Sequence, residues 1–187
     1  MDSPEYRLMQ SIRQRWWAQI SVACVGSALP ESFLAALIAN ETGGDPTRTR
    51  FEASAFRDLC LVAAGKKASM GLIGGNDIVP HETLFTPKIT GIVALATSYG
   101  LTQIMGYQAI ARGRDISILQ NPPTHLQFAV TMLDEFRKAH NLQFKAPIDY
   151  EPLFACWNSG QPDPSRTFDP KYCPNGVARM ELYGNGS

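Results

Sequence analysis

The stretch Ala35-Ala36-Leu37-Ile38-Ala39-Asn40-Glu41-Thr42-Gly43-Gly44 decides how the rest of the chain is read. It has the form of the last turns of an apolar helix, closed by two glycines, with a single carboxylate at its end. Phe33, Leu34, Leu37 and Ile38 recur at the 3.6-residue period of a helix that buries one face. Glu41 lies three residues past Ile38 and four past Leu37, so it continues that inward face. Gly43 or Gly44 supplies the left-handed residue that ends a helix. A carboxylate on a buried stripe is poorly solvated, and desolvation disfavours its charged form. Its pKa then rises toward the range a general acid needs near neutral pH. Spacing alone favours a plainer alternative, a solvated glutamate in a final helical turn.

Two further stretches follow in order, Ser98-Tyr99-Gly100-Leu101-Thr102-Gln103-Ile104-Met105-Gly106 and Trp157-Asn158-Ser159-Gly160. With Glu41-Thr42-Gly43-Gly44 they resemble the ordered motif set of the lysozyme-like superfamily, in particular soluble lytic transglycosylases and phage-type N-acetylmuramidase endolysins. There a Glu-Ser-Gly-Gly helix end, a Gly-Leu-x-Gln-Ile-Met segment and a Tyr-Asn-x-Gly segment line one glycan-binding groove. The resemblance spans roughly residues 30 to 183. It implies cleavage of the β-1,4 bond between N-acetylmuramic acid and N-acetylglucosamine in peptidoglycan, with Glu41 protonating the glycosidic oxygen. It also implies that Ser98, Tyr99, Gln103, Trp157 and Asn158 meet the glycan. Gln103 carries both donor and acceptor, matched to an N-acetyl group or sugar hydroxyls, and Tyr99 is either a stacking surface or a core aromatic. The family usually has Tyr where this chain has Trp157, and an indole offers only its N–H donor, so a stacking role replaces a catalytic one there.

The second carboxylate of a hydrolase would be Glu52, in Arg50-Phe51-Glu52, with Asp45 and Asp58 behind it. Inversion needs a base about 6.5–9.5 Å from the acid and retention a nucleophile at about 5–5.5 Å. The competing reading of Glu52 is a helix N-terminal acid stabilised by the helix dipole. A lytic transglycosylase needs no second carboxylate, because by resemblance the sugar's own hydroxyl attacks and leaves a 1,6-anhydro end. A similar Arg-Phe-Glu element in the phage-type muramidases tilts the expectation toward hydrolysis. A glycosidase of chitin-like polymers and a non-catalytic glycan-binding virion module remain alternatives.

The chain has 187 residues, 44% of them hydrophobic and 18% charged, an ordinary balance for one globular domain. Lysine plus arginine and aspartate plus glutamate both number 17, so no bulk charge draws it to nucleic acid or an anionic wall. A polymer partner, expected to be peptidoglycan glycan strands met by a monomer, must be held in a local groove. The start lacks a basic segment followed by an apolar core, which gives the expectation of no secretory signal. With no run approaching the roughly 20 apolar residues of a membrane span, the expected location is cytoplasmic until release to the wall, as in endolysins. Cys24, Cys60, Cys156 and Cys173 show no Cys-x-x-Cys spacing and read as buried thiols, with a Cys156–Cys173 disulfide left open. No cofactor or metal is implied, and His81, His125 and His140 read as surface or loop residues.

Ser3-Pro4-Glu5 starts a helix, and Met9, Ile12, Trp16, Ile20 and Ala23 form its buried stripe. Trp16 and Trp17 could face sugar, but Trp16 lies on the stripe and reads as core. Alternating Thr and Arg at residues 47–50 predict a short strand or extended arm. A helix over 53–64 follows, with Phe56, Leu59 and Ala63 inward. Residues 65–80 read as a mobile surface loop bordering the groove. Its Gly71-Leu72-Ile73-Gly74-Gly75 lacks the Gly-Lys-Ser/Thr ending of a phosphate loop. Thr86-Pro87 opens a helix burying Ile89, Ile92, Val93 and Ala96, and a short helix ends at Gly113. A long helix over about 124–139 buries Leu126, Ala129, Val130, Leu133 and Phe136. Helices starting near Asp149 and Cys173 complete the chain before a flexible tail. The expected architecture is a single, mainly α domain of α+β lysozyme-like type, a helical bundle with a small extended arm or hairpin beside a glycan-binding groove.

Overall fold

A computed structural model of the protein describes residues 3–71, 79–80, 89–143 and 150–184. The chain is mainly helical, with a small antiparallel sheet. Helix α1 (Pro4–Cys24) begins where Ser3 Oγ accepts the Tyr6 N–H at 3.1 Å and Pro4 occupies the first turn. Its buried residues are Met9, Ile12, Trp16, Ile20 and Ala23, the expected stripe, together with Cys24.

Helix α2 (Glu31–Glu41) is the centre of the molecule. Its residues 33–39 are all buried, so it has no single inward face. That corrects the one-sided expectation. Ala35, Ala36 and Ala39 occupy the sides that a surface helix would give to polar residues, and they let α1 and α8 (Tyr172–Gly184) close on it. Phe33 also stacks on Phe154 with ring centroids 4.1 Å apart. Helices α6 (Pro122–Ala139) and α7 (Tyr150–Ser159) complete this larger lobe. All five expected stripe residues of α6 are buried, and Asn121 Oδ1 caps it by accepting from Thr124 N.

A smaller lobe carries its own core of Ala55, Leu59, Val62, Val79, Ile92, Leu95, Ala96 and Tyr107. It is built from α3 (Ala53–Ala63), α4 (Ile89–Leu95), α5 (Gly106–Ala111) and two small sheets. In the first, β1 (Thr49–Phe51) pairs with β4 (Thr97–Tyr99), which pairs with β5 (Ile104–Met105). In the second, β2 (Ser69–Met70) pairs with β3 (Val79–Pro80), so residues 65–80 are partly strand rather than wholly loop. The Gly-rich stretch 72–75, the helix start at Thr86-Pro87, His81, the Ile89 side chain, Asp149 and the tail beyond Gly184 lie outside the described residues. Val93 is 39% exposed rather than buried, because Ile92, Leu95 and Ala96 take the inward side of α4. No helix among the described residues is long and apolar enough to cross a membrane. All four cysteines are free; Cys24, Cys156 and Cys173 are buried and Cys60 is half-buried.

Candidate functional site

Between the lobes lies a cleft of about 730 Å³, lined by Glu41, Trp157 and Asn158 on one side and Glu52, Met105 and Tyr107 on the other. Glu41 sits at the last turn of α2, where Thr42 ends the helix and Gly43 (φ 64°) and Gly44 (φ 92°) turn the chain away. Trp16 fixes that exit, since its Nε1 donates to the Gly44 carbonyl at 3.2 Å. Trp16 is therefore a core residue with a positioning bond, and neither it nor Trp17 lines the cleft.

Burial raises the Glu41 carboxyl to about 7, against smaller opposing effects from a Tyr172 hydrogen bond and the Arg50 charge. The Tyr172 hydroxyl donates to Glu41 Oε1. Desolvation, then the neighbouring Glu41 charge, holds the phenol well above its ordinary value, so it stays a neutral donor. With Oε1 engaged, Oε2 is the oxygen left to carry a transferable proton. Nothing local in the sequence signals Tyr172, which is 131 residues from Glu41. Only the packing of α8 on α2 brings it there.

Glu52 lines the same cleft, half-buried and ion-paired to Arg50. It is also the residue from which α3 starts, but its side chain makes no capping bond. Asp58 lines the cleft farther along and is paired with Lys67 Nζ at 2.9 Å. Asp45 is spent in its own turn, accepting from Thr47 N and Oγ1.

The turn at residues 100–103 joins the three motifs. Thr42 Oγ1 donates to the Leu101 carbonyl at 3.0 Å, and Trp157 Nε1 donates to the Thr102 carbonyl at 3.0 Å. Gln103 adopts φ 54°, unusual for a residue with a side chain. Its amide Nε2 donates to the Arg48 and Gly100 carbonyls, each at 3.0 Å, and its Oε1 accepts from Ser98 Oγ at 2.9 Å. Gln103 and Ser98 thus line the cleft while most of their hydrogen-bonding capacity holds the turn. Tyr99 is not among the lining residues; its hydroxyl donates to the Ala94 carbonyl at 3.0 Å. The Trp157 N–H is likewise engaged, which leaves its ring to the cleft. Asn158 Oδ1 accepts the Phe168 N–H at 3.2 Å.

His125 is buried beneath this turn, not at the surface as its isolation in the sequence suggested. The Thr102 N–H donates to Nε2 at 3.2 Å, so Nδ1 carries the proton and donates to the Leu119 carbonyl at 3.1 Å. Burial lowers its pKa to about 4. Gly100 (φ 66°) is what lets the ring in: a Cβ there would lie 2.9 Å from His125 Cε1 and from the Leu119 oxygen. The close approach that Gly100 permits is made by the protein's own side chain and backbone. No group of His, Cys, Asp and Glu among the described residues could hold a metal ion.

No protein-family model, curated protein or solved structure matches this chain.

Proposed function

We propose that the chain is a peptidoglycan-cleaving glycosidase of lysozyme-like type, acting on the β-1,4 bond between N-acetylmuramic acid and N-acetylglucosamine. The observation that carries this reading is Glu41. It is a carboxyl group held near pKa 7 by burial, in an inter-lobe cleft, with one oxygen fixed by a phenol. The three motifs that resemble that superfamily support it, since they meet around one turn. The departure at Trp157 has a counterpart: Tyr172 delivers a phenol to the carboxyl from another helix.

Glu41 gives its proton to the glycosidic oxygen as the C1–O bond breaks, and positive charge develops at C1 and the ring oxygen. In hydrolysis a water attacks C1 and surrenders its proton to Glu52 or to the now ionised Glu41. This is the reading we place first, with Glu52 facing the same cleft. The Arg50–Glu52 ion pair favours a second reading, because the Glu52 oxygen held by the guanidinium is already occupied and not free to take a proton from water. Then the muramic C6 hydroxyl closes on C1 and returns its proton to Glu41, giving a 1,6-anhydro end.

Mass spectrometry of fragments released from purified peptidoglycan separates these outcomes. Reducing ends mean hydrolysis and anhydro ends mean internal transfer. Release of fragments by Glu41→Gln at the wild-type rate would remove the carboxyl from the mechanism.

A further inference from the structure

At the rim of the cleft the chain presents Phe168 with 92% of its surface exposed, the most exposed large apolar side chain among the described residues. Its exposure does not come from a loose backbone. Asn158 Oδ1 accepts its N–H, Thr167 Oγ1 donates to the Pro164 and Asp169 carbonyls at 2.8 and 2.9 Å, and Thr167 is itself buried. An exposed apolar ring gives the fold nothing, whereas a ring that meets a ligand benefits from the fixed backbone that carries it.

Two residues earlier, Arg166 lines the same cleft and is exposed. Its charge is felt by Asp163, whose Oδ1 is occupied by Ser165 N and Oγ. Arg166 makes no ion pair within 4.0 Å among the described residues. The other cation among the described lining residues, Arg50, is committed to Glu52. A flat aromatic face suits the C–H face of a hexopyranose, and a guanidinium suits a carboxylate.

We propose that Phe168 and Arg166 form a rim subsite for an anionic, muramic-type sugar, the ring stacking on Phe168 and a carboxylate pairing with Arg166. That carboxylate is one of the peptide stem, since the lactyl carboxyl is taken up in the amide that joins the stem to the sugar. This deepens the glycan-cleaving reading and rests on it. Phe168 then serves any N-acetylhexosamine polymer, and Arg166 discriminates the charged one from neutral chitin.

The test is calorimetric binding to Glu41→Gln protein, alone and combined with Phe168→Ala or Arg166→Gln. The two probes are a stem-bearing peptidoglycan tetrasaccharide and an N-acetylglucosamine tetramer. Both side chains are exposed, so circular dichroism of the variants should match the parent. Phe168→Ala is expected to weaken both probes by about 3–10-fold, the size of an aromatic stacking contact. Arg166→Gln is expected to weaken the stem-bearing probe by about 5-fold or more and leave the neutral one unchanged. Unchanged affinities in both double variants would overturn the subsite, while wall cleavage by the wild type would leave the catalytic reading standing. Phe168-dependent binding with no cleavage by the wild type would do the reverse. Absence of both binding and cleavage overturns both.

Discussion

The chemistry of single residues gives opposed pH dependences. Glu41 is raised from 4.5 to about 7 in the folded chain, so the folded state holds its proton more tightly than the unfolded one. As pH rises from about 4.5 through 7, ionising Glu41 therefore removes stability. The full loss, about 3 kcal/mol by linkage, is reached above pH 7. Glu41→Gln should thus be more stable than the wild type in urea unfolding at pH 8, with the advantage gone below pH 4.5. His125 acts in the other sense. Its pKa falls from 6.5 to about 4 on folding, so its contribution is complete above pH 6.5 and is lost as pH drops through 4. His125→Gln should be less stable than the wild type near pH 7 by about 2 kcal/mol, the cost of disturbing a buried hydrogen-bonded group. It should also lose the acid-side decline. Tyr172→Phe removes a bond that lowers the Glu41 pKa. The alkaline limb of the activity profile should move to higher pH, and an unmoved limb would separate Tyr172 from the acid's titration.

At the level of elements, what was legible was what is local. The α1 and α6 stripes follow from apolar spacing, and the strand at Thr49–Phe51 from its alternation. Helix α2 was legible in its end, at Glu41, but not in its burial, since a helix that is apolar on every side carries no periodic signal of which face is inward. The β4–β5 hairpin was read only as a motif, because its side chains serve a tight turn held by Gln103 and Ser98. Tyr172 and His125 were missed for one physical reason. Each acquires its role from a partner brought close by helix packing, across 131 and 23 residues of chain. The hairpin turn makes its own prediction. Gly100→Ala must force a Cβ into the 2.9 Å contacts with His125 and Leu119 while holding φ 66°. The expected loss is about 2–4 kcal/mol, read as a fall in the denaturation midpoint. A midpoint equal to that of the wild type would mean that the turn has another conformation.

For the whole molecule, the placement of the cleft follows from having two apolar cores rather than one. The larger core surrounds α2 and delivers Glu41 and Trp157, while the smaller one carries Glu52 and Met105 on the facing wall. The motifs come together because the 100–103 turn is bonded to both the α2 end and α7, so the cleft is a consequence of the fold and not of one loop. The role proposed for Glu41 is that of proton donor for glycan cleavage. Its most direct test is the rate of fragment release from purified peptidoglycan, measured from pH 4 to 9 for the wild type and for Glu41→Gln. The wild-type rate is expected to fall as pH rises through about 7, where Glu41 ionises, and the Glu41→Gln rate to be lower by about 10²–10⁴-fold below pH 7, with the gap narrowing at higher pH as the wild type loses its acid. Equal rates for the two proteins below pH 7, or no release by well-folded wild type at any pH, would contradict it.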